Sequence, residues 1–398
     1  MILRIRFCIE TGTNEIFLET GNCHILYMIY ARTALKLIFV SHSFCSMSNA
    51  LKIAVVGSGI GVEHLKGYQE LPELFDVKVL CDVSLERALP VAEKYGIPKV
   101  AESFDEVCRR ADIDVIDICT PPSFHQGHIQ AALKAGKHVI CEKPLVGSLA
   151  AVDAVSRLAS ECGRQVMPIF QYRFGHGLQK LKQLVDQQLV GEAFVFNVDV
   201  AWWRDSEYYR NPWRGKRGTE LGGVLLSQAI HAVDMVLYIL GPAKSVFGWT
   251  RTRVNQIEVE DCVVITMEMA DGSLGTISVT VGSLVEISRH RFTFRNVTAE
   301  SNTEPYANSR EPWAFTFNAT GNEKQVRDSL EQFKPGPERY AGQFARFYQA
   351  LRDGTELPVT LAAARAALEI VAATYHSSEN NEPVTLPIGP GHPRYEEL

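Results

Sequence analysis

The stretch LKIAVVGSGIG, residues 51–61, decides the fold. Its first six residues, Leu51–Val56, are almost all apolar, which predicts a strand that is buried on both faces of a sheet. Gly57, Gly59 and Gly61 follow at once and lead into a helical pattern. A turn without side chains lets backbone N–H groups and a helix N-terminus approach a pyrophosphate. The stretch therefore predicts the first strand–turn–helix unit of a dinucleotide-binding domain.

The segments after this turn predict a parallel sheet. Val77–Cys81, Val115–Cys119 and His138–Glu142 have the composition of further strands, and helical segments separate them, the second of which Ser84 can cap. Strands that alternate with helices imply right-handed crossovers and helices on both faces of the sheet. We expect an α/β Rossmann domain over residues 47–170.

Asp82, at the end of the second strand, points to the identity of the cofactor. A carboxylate there accepts hydrogen bonds from the ribose hydroxyls of NAD and disfavours a 2′-phosphate. Ser84 and Arg87 follow closely in sequence and leave NADP open, and Val62 stands where the usual fingerprint has a third glycine. The predicted contacts to NAD from this unit are Gly57, Ser58, Gly59, Ile60, Gly61 and Asp82.

Composition excludes several classes of protein. The 398 residues are 46% hydrophobic and 22% charged, as in an average globular chain, and a net charge of −6 without a basic block argues against nucleic acid or an anionic membrane. We find no run of about 18 apolar residues, so we predict no membrane helix. Nine scattered cysteines without a Cys-x-x-Cys pair predict reduced thiols in a cytoplasmic protein, and no metal site.

The first 46 residues do not follow the pattern of the rest. Their apolar stretches, such as Ile25–Tyr30 and Leu37–Val40, are short and show no clear helical or strand period. Leu37–Val40 is also too short for the apolar segment of a signal peptide. We hypothesise that Met47 begins the working protein and that residues 1–46 are an upstream extension.

Six further stretches carry a more specific signal than the glycines. They are Thr120–His125, Ala132–Val139, Glu142–Pro144, Gln171–Phe174, Trp213–Gly215 and Gly222–His231. With these stretches the chain resembles the Gfo/Idh/MocA family, which comprises glucose–fructose oxidoreductases, inositol dehydrogenases and related sugar or cyclitol dehydrogenases. The likeness runs from about Leu51 to Pro387.

The resemblance implies a second α/β domain, residues 171–388, with a large, open, mostly antiparallel sheet, and a short tail at 389–398. Four segments fit such a sheet because they alternate or run apolar. They are Ala193–Trp203, Ser245–Val254, Val259–Met269 and Ser273–Val281, the last two joined by a hairpin turn at Asp271-Gly272. In the family the exposed face of this sheet commonly makes dimers or tetramers, so the resemblance also implies a homodimer or homotetramer.

The resemblance also implies the catalytic groups. Lys143 would hold the substrate oxygen while alkoxide character develops, and the Lys143–Pro144 peptide bond would be cis. His231, on an expected helix Val224–Leu240, would transfer the hydroxyl proton, because imidazole titrates near neutral pH. Further cofactor contacts are implied for Thr120, Pro121, His125, Glu142 and Lys143.

The implied substrate site departs from the family at one position. The family often has an aspartate four residues before the histidine, whereas this chain has Ser227, which can orient a ring or a substrate but cannot stabilise an imidazolium by its charge. Asp234 is expected to be structural. Guanidinium groups bind hydroxyls or carboxylates and aromatic faces stack on sugar C–H surfaces. The candidate substrate residues are Lys143, Arg173, Tyr209, Trp213, Arg214, Ser227 and His231.

Taken together, these implications describe an NAD(P)-dependent dehydrogenase acting on a secondary hydroxyl of a sugar, cyclitol or related polyol. Two alternatives remain open. One is a glycosidase on the same fold that uses NAD for a transient oxidation, and it would release free sugar without net NADH. The other is a non-catalytic regulator that binds nucleotide and sugar and oxidises neither sugars nor polyols.

Overall fold

The computed structural model describes residues 50–318 and 322–398, and the backbone of four strands within the first 49 residues. Those strands are β1 (Ile5–Cys8), β2 (Glu15–Thr20), β3 (His24–Ala31) and β4 (Ala34–Ile38). They pair in this order as an antiparallel sheet. No strand was predicted here, because β3 is apolar at nearly every position and shows no alternation. The start at Met47 stays a prediction.

Residues 50–398 form one compact unit that begins with a six-stranded parallel sheet in the order β10-β9-β8-β5-β6-β7. Its strands are β5 (Leu51–Val56), β6 (Phe75–Cys81), β7 (Lys99–Ala101), β8 (Val115–Ile118), β9 (His138–Cys141) and β10 (Val166–Pro168). All four residues of β8 are buried, as the apolar pattern predicted. The sheet order reverses direction between β5 and β8, and ligands of such sheets bind at this switch point.

Helices cover this sheet, and several begin at serine caps. They are α1 (Gly61–Gln69), α2 (Leu85–Tyr95), α3 (Phe104–Arg109), α4 (Pro122–Lys134) and α5 (Leu149–Cys162). The side chains of Ser84, Ser103 and Ser148 each accept a hydrogen bond from a backbone N–H three residues later. Such caps satisfy one of the free N–H groups of a first turn.

The second half contains an eight-stranded sheet in the order β17-β16-β15-β11-β14-β13-β12-β18. Its strands are β11 (Ala193–Trp203), β12 (Ala243–Arg251), β13 (Cys262–Met269), β14 (Leu274–Thr280), β15 (Gly282–Phe294), β16 (Val297–Glu300), β17 (Ala314–Phe317) and β18 (Val384–Thr385). Only the pairing of β11 with β14 is parallel among these described strands. The predicted fold class, a Rossmann domain followed by a large and mostly antiparallel sheet, is confirmed.

The second half also contains seven α-helices among its described residues, and the helices Val224–Ser227, Ile230–Leu240 and Leu361–Asn380 contact the sheet. The seven helices are α6 (His176–Asp186), α7 (Arg217–Glu220), α8 (Val224–Ser227), α9 (Ile230–Leu240), α10 (Glu323–Glu331), α11 (Arg339–Asp353) and α12 (Leu361–Asn380). Val263, Ile265 and Met267 of β13 are buried, while Val264 between them is about half exposed. Burial therefore alternates along the strand, and the second face of the sheet stays open.

The helix that was predicted over Val224–Leu240 is in fact two helices. The chain breaks between Ser227 and Ile230, and the segments 217–227 and 230–240 are inclined by 49° to each other. Ser227 and His231 therefore do not share the face of one continuous helix. This bent pair is apolar and long enough to be considered for a membrane span, whereas no single helix among the described residues is.

The two halves are packed tightly against each other. A Cβ atom on Gly67 of α1 would lie 3.0 Å from Tyr340 Cβ and 3.2 Å from the backbone nitrogen of Ala341, both on α11. Tyr395, beyond the last strand, accepts a hydrogen bond from Ala150 N at 3.0 Å and donates its hydroxyl to Asp153 at 2.8 Å. These contacts fix the second sheet beside the carboxyl ends of the parallel strands. The proposed division at residues 170 and 171 stays a prediction.

Candidate active site

A cavity of about 940 Å³ lies between the carboxyl ends of the parallel strands and the second half of the chain. Most residues that were predicted from sequence to bind cofactor or substrate line this one cavity. They are Gly57, Ser58, Gly59, Ile60, Asp82, Thr120, Pro121, Glu142, Lys143, Trp213, Arg214, Ser227 and His231. The cavity thus places the predicted nucleotide and substrate sites side by side.

The glycine turn has the shape that a pyrophosphate requires. Gly57 has φ +105°, and a Cβ there would lie 2.5 Å from the carbonyl oxygen of Cys119, so that only glycine fits. A Cβ on Gly59 would meet no atom within 4 Å, which leaves open space above the turn. The following helix, which begins at Gly61, has no side-chain cap on its N-terminus. The residues present fit the diphosphate of NAD.

Asp82 is buried and accepts hydrogen bonds on both carboxylate oxygens. Ser58 donates from its backbone nitrogen at 2.8 Å and from its hydroxyl at 2.5 Å, and Ser84 N donates at 2.9 Å. Arg87 Nη2 lies 2.9 Å from Oδ1. Burial alone would raise the pKa of Asp82, but these donors lower it overall. Asp82 is therefore an ionised acceptor at the place where the ribose of NAD would lie.

Lys143 lines the cavity and is held in place by both halves of the chain. Its backbone nitrogen donates to Glu142 Oε2 at 2.9 Å, and its Nζ donates to the carbonyl oxygen of Ser227 at 2.6 Å. The Lys143–Pro144 bond is cis, as the resemblance implied. Burial lowers the pKa of Lys143, and the carboxylate of Glu142 opposes that change. The ammonium group is thus fixed in place beside the open volume.

His231 is buried and lies against the face of Tyr172, with ring centroids 4.5 Å apart. Its Nδ1 is buried without a hydrogen-bond partner among the described residues. Burial lowers the pKa of His231 well below its ordinary value, and the nearby charge of Lys143 lowers it further. The ring is therefore neutral near pH 7 and able to accept a proton.

The Gly222-Gly223 pair holds the short helix α8 in place. Glu260 accepts hydrogen bonds from Gly223 N at 2.9 Å and Leu225 N at 3.0 Å. A Cβ on Gly223 would lie 2.0 Å from the carbonyl oxygen of Glu260, so that this approach needs glycine. Burial raises the pKa of Glu260 to about 7. The helix positioned in this way presents the Ser227 carbonyl to Lys143.

A contact of the Ser227 side chain with the substrate stays a prediction, since this residue lines the cavity. Its hydroxyl donates to the carbonyl oxygen of Gly223 at 2.9 Å, four residues earlier, and not to the ring of His231. The break in the helix explains this, because the spacing of four residues no longer places both side chains on one face. It is the backbone of Ser227, not its side chain, that contacts a predicted catalytic group.

Four predicted residues lie outside the lining of the cavity. Arg173 forms a buried pair with Asp234, with Nε and Nη2 at 2.8 and 2.6 Å from its carboxylate oxygens, which agrees with the structural role expected for Asp234. The ring nitrogens of His125 each lie 2.8 Å from a backbone carbonyl oxygen, of Pro144 and of Thr120.

Gly61 and Tyr209 are the other two. A Cβ on Gly61 would lie 3.0 Å from a methyl group of Val55, so this glycine lets α1 pack on its strand. Tyr209 packs its ring edge-on against Tyr208, with centroids 5.0 Å apart. For Arg173, His125 and Tyr209 the reason is that sequence proximity to a motif does not determine which way a side chain points.

Several lining residues were not predicted from sequence, because distant segments bring them together. Tyr208 is one of them, and the centroids of its ring and of the Trp213 ring each lie 4.2 Å from the guanidinium carbon of Arg214. Trp202 of β11 also reaches the cavity. The further unpredicted lining residues of this half are Gln171, Tyr172, Arg204, Asn211, Gln228, Tyr306, Arg339 and Tyr340. Their only signal in the sequence was the position of some of them within the motifs.

A cluster of His64, Asp117 and Cys119 lies buried beneath this site, with its ligand-type atoms within 4.8 Å of one another. The two ring nitrogens of His64 are engaged by carboxylates, with Nδ1 2.8 Å from Asp117 and Nε2 3.1 Å from Glu142. We therefore describe the cluster as an ion-pair network and assign no metal to it. A lone histidine in an amphipathic helix gave no sequence signal for this network.

Two protein-family models match the chain. An oxidoreductase family with an NAD-binding Rossmann fold, GFO_IDH_MocA, matches residues 51–170. The GFO/IDH/MocA C-terminal domain matches residues 178–294. The two models follow each other along the chain as the two sheets do.

Individual relatives show the same relationship at lower identity. The D-glucoside 3-dehydrogenase of Escherichia coli is 30% identical over 199 residues, which are 49% of this chain and 55% of that enzyme. The scyllo-inositol 2-dehydrogenase (NADP(+)) of Bacillus subtilis is 22% identical over 85% of this chain and 96% of its own length. The WlbA dehydrogenase of Bordetella pertussis, solved with NADH and UDP-GlcNAcA, has the same fold, with a TM-score of 0.75 and 22% identity over 85% of this chain and 100% of its own.

Proposed function

The chain belongs to the Gfo/Idh/MocA family of oxidoreductases, and from this premise we propose that it is an NAD-dependent dehydrogenase of sugars, cyclitols or related polyols. The observation that carries the proposal is that Lys143 and His231 meet in one cavity with the glycine turn. Relatives that act on a glucoside and on an inositol support this substrate class.

In the proposed reaction the cofactor-binding residues, Lys143 and His231 have different roles. Gly57, Gly59 and Asp82 would hold NAD, which when bound supplies the hydride acceptor. Lys143 holds the substrate oxygen through its ammonium group and stabilises the negative charge that develops there. His231 is neutral and takes the hydroxyl proton during oxidation, then returns it during reduction.

The second half supplies the surroundings of the substrate. The stacked group of Arg214, Tyr208 and Trp213 offers an aromatic face and guanidinium donors, which suit the C–H surface and the hydroxyls of a pyranose or cyclitol. Ser227 contributes through its backbone, because its carbonyl fixes Lys143 Nζ. Arg173 and Tyr209 have no place in this proposed site.

The test is NADH formation against a panel of sugars, inositols and anhydrosugars. We expect turnover with at least one secondary alcohol and loss of turnover in Lys143→Ala, with NAD binding retained. Lys134→Ala, which changes an exposed lysine of α4, is the matched control and should keep full activity. Free sugar without net NADH would instead identify a glycosidase, and nucleotide binding without any turnover would identify a regulator.

NAD is the expected cofactor, with NADP as a weaker one. The ionised, buried carboxylate of Asp82 favours two ribose hydroxyls over a phosphate. Arg87 is largely exposed at its guanidinium and could turn from Asp82 towards a 2′-phosphate. The ratio of kcat/KM for the two cofactors tests this order, and a preference for NADP would contradict it.

We propose a homo-oligomer built on the open face of the second sheet. Large apolar side chains are exposed there on neighbouring strands, since Trp249 pairs with Val264 and Leu274 pairs with Val195. The family resemblance implies that a second copy of the chain covers this face. Sedimentation of the wild type and of Val264→Lys tests this, and a monomeric wild type would contradict it.

We also propose a cytoplasmic location. The six described cysteines are free thiols, four of them buried, which suits a reducing compartment. Fractionation of the native source tests this point. A small-molecule substrate, rather than nucleic acid or a membrane, agrees with the net charge of −6.

A further inference from the structure

A histidine outside the proposed catalytic pair lies directly beneath it. His64, on α1, is completely buried, with Nδ1 2.8 Å from Asp117 Oδ2 and Nε2 3.1 Å from Glu142 Oε1. Both ring nitrogens thus face carboxylate oxygens, and an ionised carboxylate can only accept hydrogen bonds. A ring that donates from both nitrogens is an imidazolium, which carries a positive charge.

The other donors around the two carboxylates leave this assignment intact. The hydroxyl of Tyr68 donates to Asp117 at 2.9 Å, and the hydroxyl of Tyr340 donates to Glu142 at 2.9 Å. Each carboxylate therefore has a phenol donor in addition to His64, and neither needs a proton of its own. The geometry is that of a buried cation between two anions.

The charges agree with the geometry. Burial alone would lower the pKa of His64, but Asp117 and Cys119 raise it well above its ordinary value. Burial alone would raise the pKa of Glu142, but the bond from His64 and its charge lower it to about 2. The raised pKa of His64 and the lowered pKa of Glu142 both favour the charged forms of the two groups that lie 3.1 Å apart.

Glu142 connects this pair to the reacting centre. Its Oε1 accepts from His64 and Tyr340, and its Oε2 accepts from the backbone nitrogen of Lys143 at 2.9 Å. Three donors from α1, α11 and the strand end therefore fix one carboxylate. The charge of that carboxylate also opposes the loss of charge that burial would cause at Lys143.

We propose that His64 is a positioning residue of this site, a buried imidazolium that keeps Glu142 ionised and oriented and thereby keeps Lys143 cationic and directed at the substrate oxygen. The inference rests on the proposed dehydrogenase function. His64 lies beneath Glu142 and acts on the substrate only through Glu142 and Lys143.

The pH dependence that follows involves every charged or titratable group around Glu142. These are His64 of α1, Cys119 after β8, His125 of α4, Cys141 and Lys143 on either side of it in sequence, His231 of α9 and Tyr340 of α11. Of these, His64 is the cation in direct side-chain contact with the carboxylate. Its removal should therefore raise the pKa of Glu142 into the range where the enzyme is assayed.

His64→Gln is the decisive variant, because glutamine can still donate one hydrogen bond but carries no charge. We expect kcat to fall by about 10-fold or more near neutral pH, while the KM for NAD changes little, since the glycine turn is untouched. The acid limb of the kcat profile should move to higher pH, by about one unit or more. An increase in pH should then recover part of the lost kcat, because it ionises Glu142 again.

Tyr68→Phe is the matched control. Tyr68 lies on the same helix, is equally buried and donates to Asp117, but it has no bond to Glu142. A purely structural role for this network predicts similar effects of both variants and no shift of the acid limb in either. An unshifted acid limb in His64→Gln would overturn the proposal.

The charge of His64 can also be read without activity, in the wild-type protein. Histidine labelled with ¹⁵N in the ring should show both nitrogens of His64 protonated and unchanged between about pH 6 and 9. A neutral or titrating ring would overturn the proposal even if His64→Gln fails to fold. If no polyol is oxidised, the dehydrogenase assignment fails, while the nitrogen shifts still decide the charge of His64.

Discussion

The cavity has a nucleotide wall, formed by the parallel-sheet half, and a substrate wall, formed by the second half. The two walls differ in how many of their buried polar atoms have hydrogen-bond partners. On the nucleotide side, Asp82 and Glu142 are buried and each accepts several hydrogen bonds. On the other side, four lining side chains have a buried nitrogen or oxygen without a partner among the described residues. They are Gln171 Oε1, Gln228 Oε1, His231 Nδ1 and Arg339 Nε.

The difference indicates what each wall is built for. A buried polar atom without a partner costs about 1–3 kcal/mol, so four on one wall reduce the stability of the free protein. Such atoms are expected where a bound molecule or its water completes the hydrogen bonds. The buried carboxylates of the nucleotide wall have their partners in the free protein, whereas buried side chains of the substrate wall find theirs only with a ligand.

The largest effect is expected for His231→Leu. We expect kcat to fall by about 10²–10⁴, because a general base is lost. Thermal stability should stay level or rise, because an unpartnered Nδ1 is removed. Turnover assays and the unfolding midpoint measure the two effects.

His290→Leu is the matched control for that variant. His290 is equally buried, but Asn308 Nδ2 lies 2.8 Å from its Nδ1 and the Ala232 carbonyl lies 3.2 Å from its Nε2. Its loss should lower stability by about 1–3 kcal/mol. Equal stability losses in both variants would contradict the difference between satisfied and unsatisfied histidines.

On the nucleotide side, Asp117→Asn should lower the free energy of unfolding by about 3–5 kcal/mol, since it removes one partner of a buried ion pair. Denaturant unfolding measures this. Asp153→Asn serves for comparison: its partner Arg365 lies 2.9 Å away in a half-buried pair, and about 1 kcal/mol or less should be lost. Comparable losses of unfolding free energy in the two variants would show that the buried network contributes no more to stability than the half-buried pair does.

A smaller effect is expected for Gln228→Leu. Its unpartnered Oε1 should accept a hydroxyl of the substrate, so the KM for substrate should rise by about 10-fold, the value of one hydrogen bond. Gln183→Leu, whose amide donates to Ser329 away from the cavity, should leave the KM unchanged. A KM that does not respond to Gln228 would remove this residue from the substrate wall.

The smallest expected effect is in the pH profile of the wild type. Oxidation needs neutral His231, and the pKa of this ring is lowered by burial and then by Lys143. The rate should therefore persist as pH falls to 6.5, the ordinary value for histidine, and decline only below it. A kcat/KM profile with its acid midpoint above that value would contradict the neutral, buried ring.

The nucleotide half was predictable from sequence because its signals are local. The apolar run Leu51–Val56 forms β5, and Gly57, Gly59 and Asp82, which line the cavity, lie within a few dozen residues of it. The short strands β7 and β10 were missed, since three residues carry no period. The helix around His231 was predicted as one piece because Ser227 and Gln228 do not interrupt its apolar pattern.

The rest of the site depends on contacts between residues far apart in sequence. Tyr340 and Glu142 are 198 positions apart in sequence, and no pattern near either residue predicts their hydrogen bond. Arg173 lies within a family motif, yet its guanidinium pairs with Asp234 and does not line the cavity. Sequence thus identified the motifs, while the direction of each side chain needed the folded chain.

The bond between Tyr340 and Glu142 also has a consequence for folding. Tyr340 belongs to α11 in the second half, and Glu142 directly follows β9 of the first sheet. The hydrogen bond from the Tyr340 phenol to Glu142 therefore forms only when α11 of the second half is folded against the first half. Separation of the halves would expose a buried ionised group, so their unfolding should be coupled, and NAD bound to one half should stabilise both.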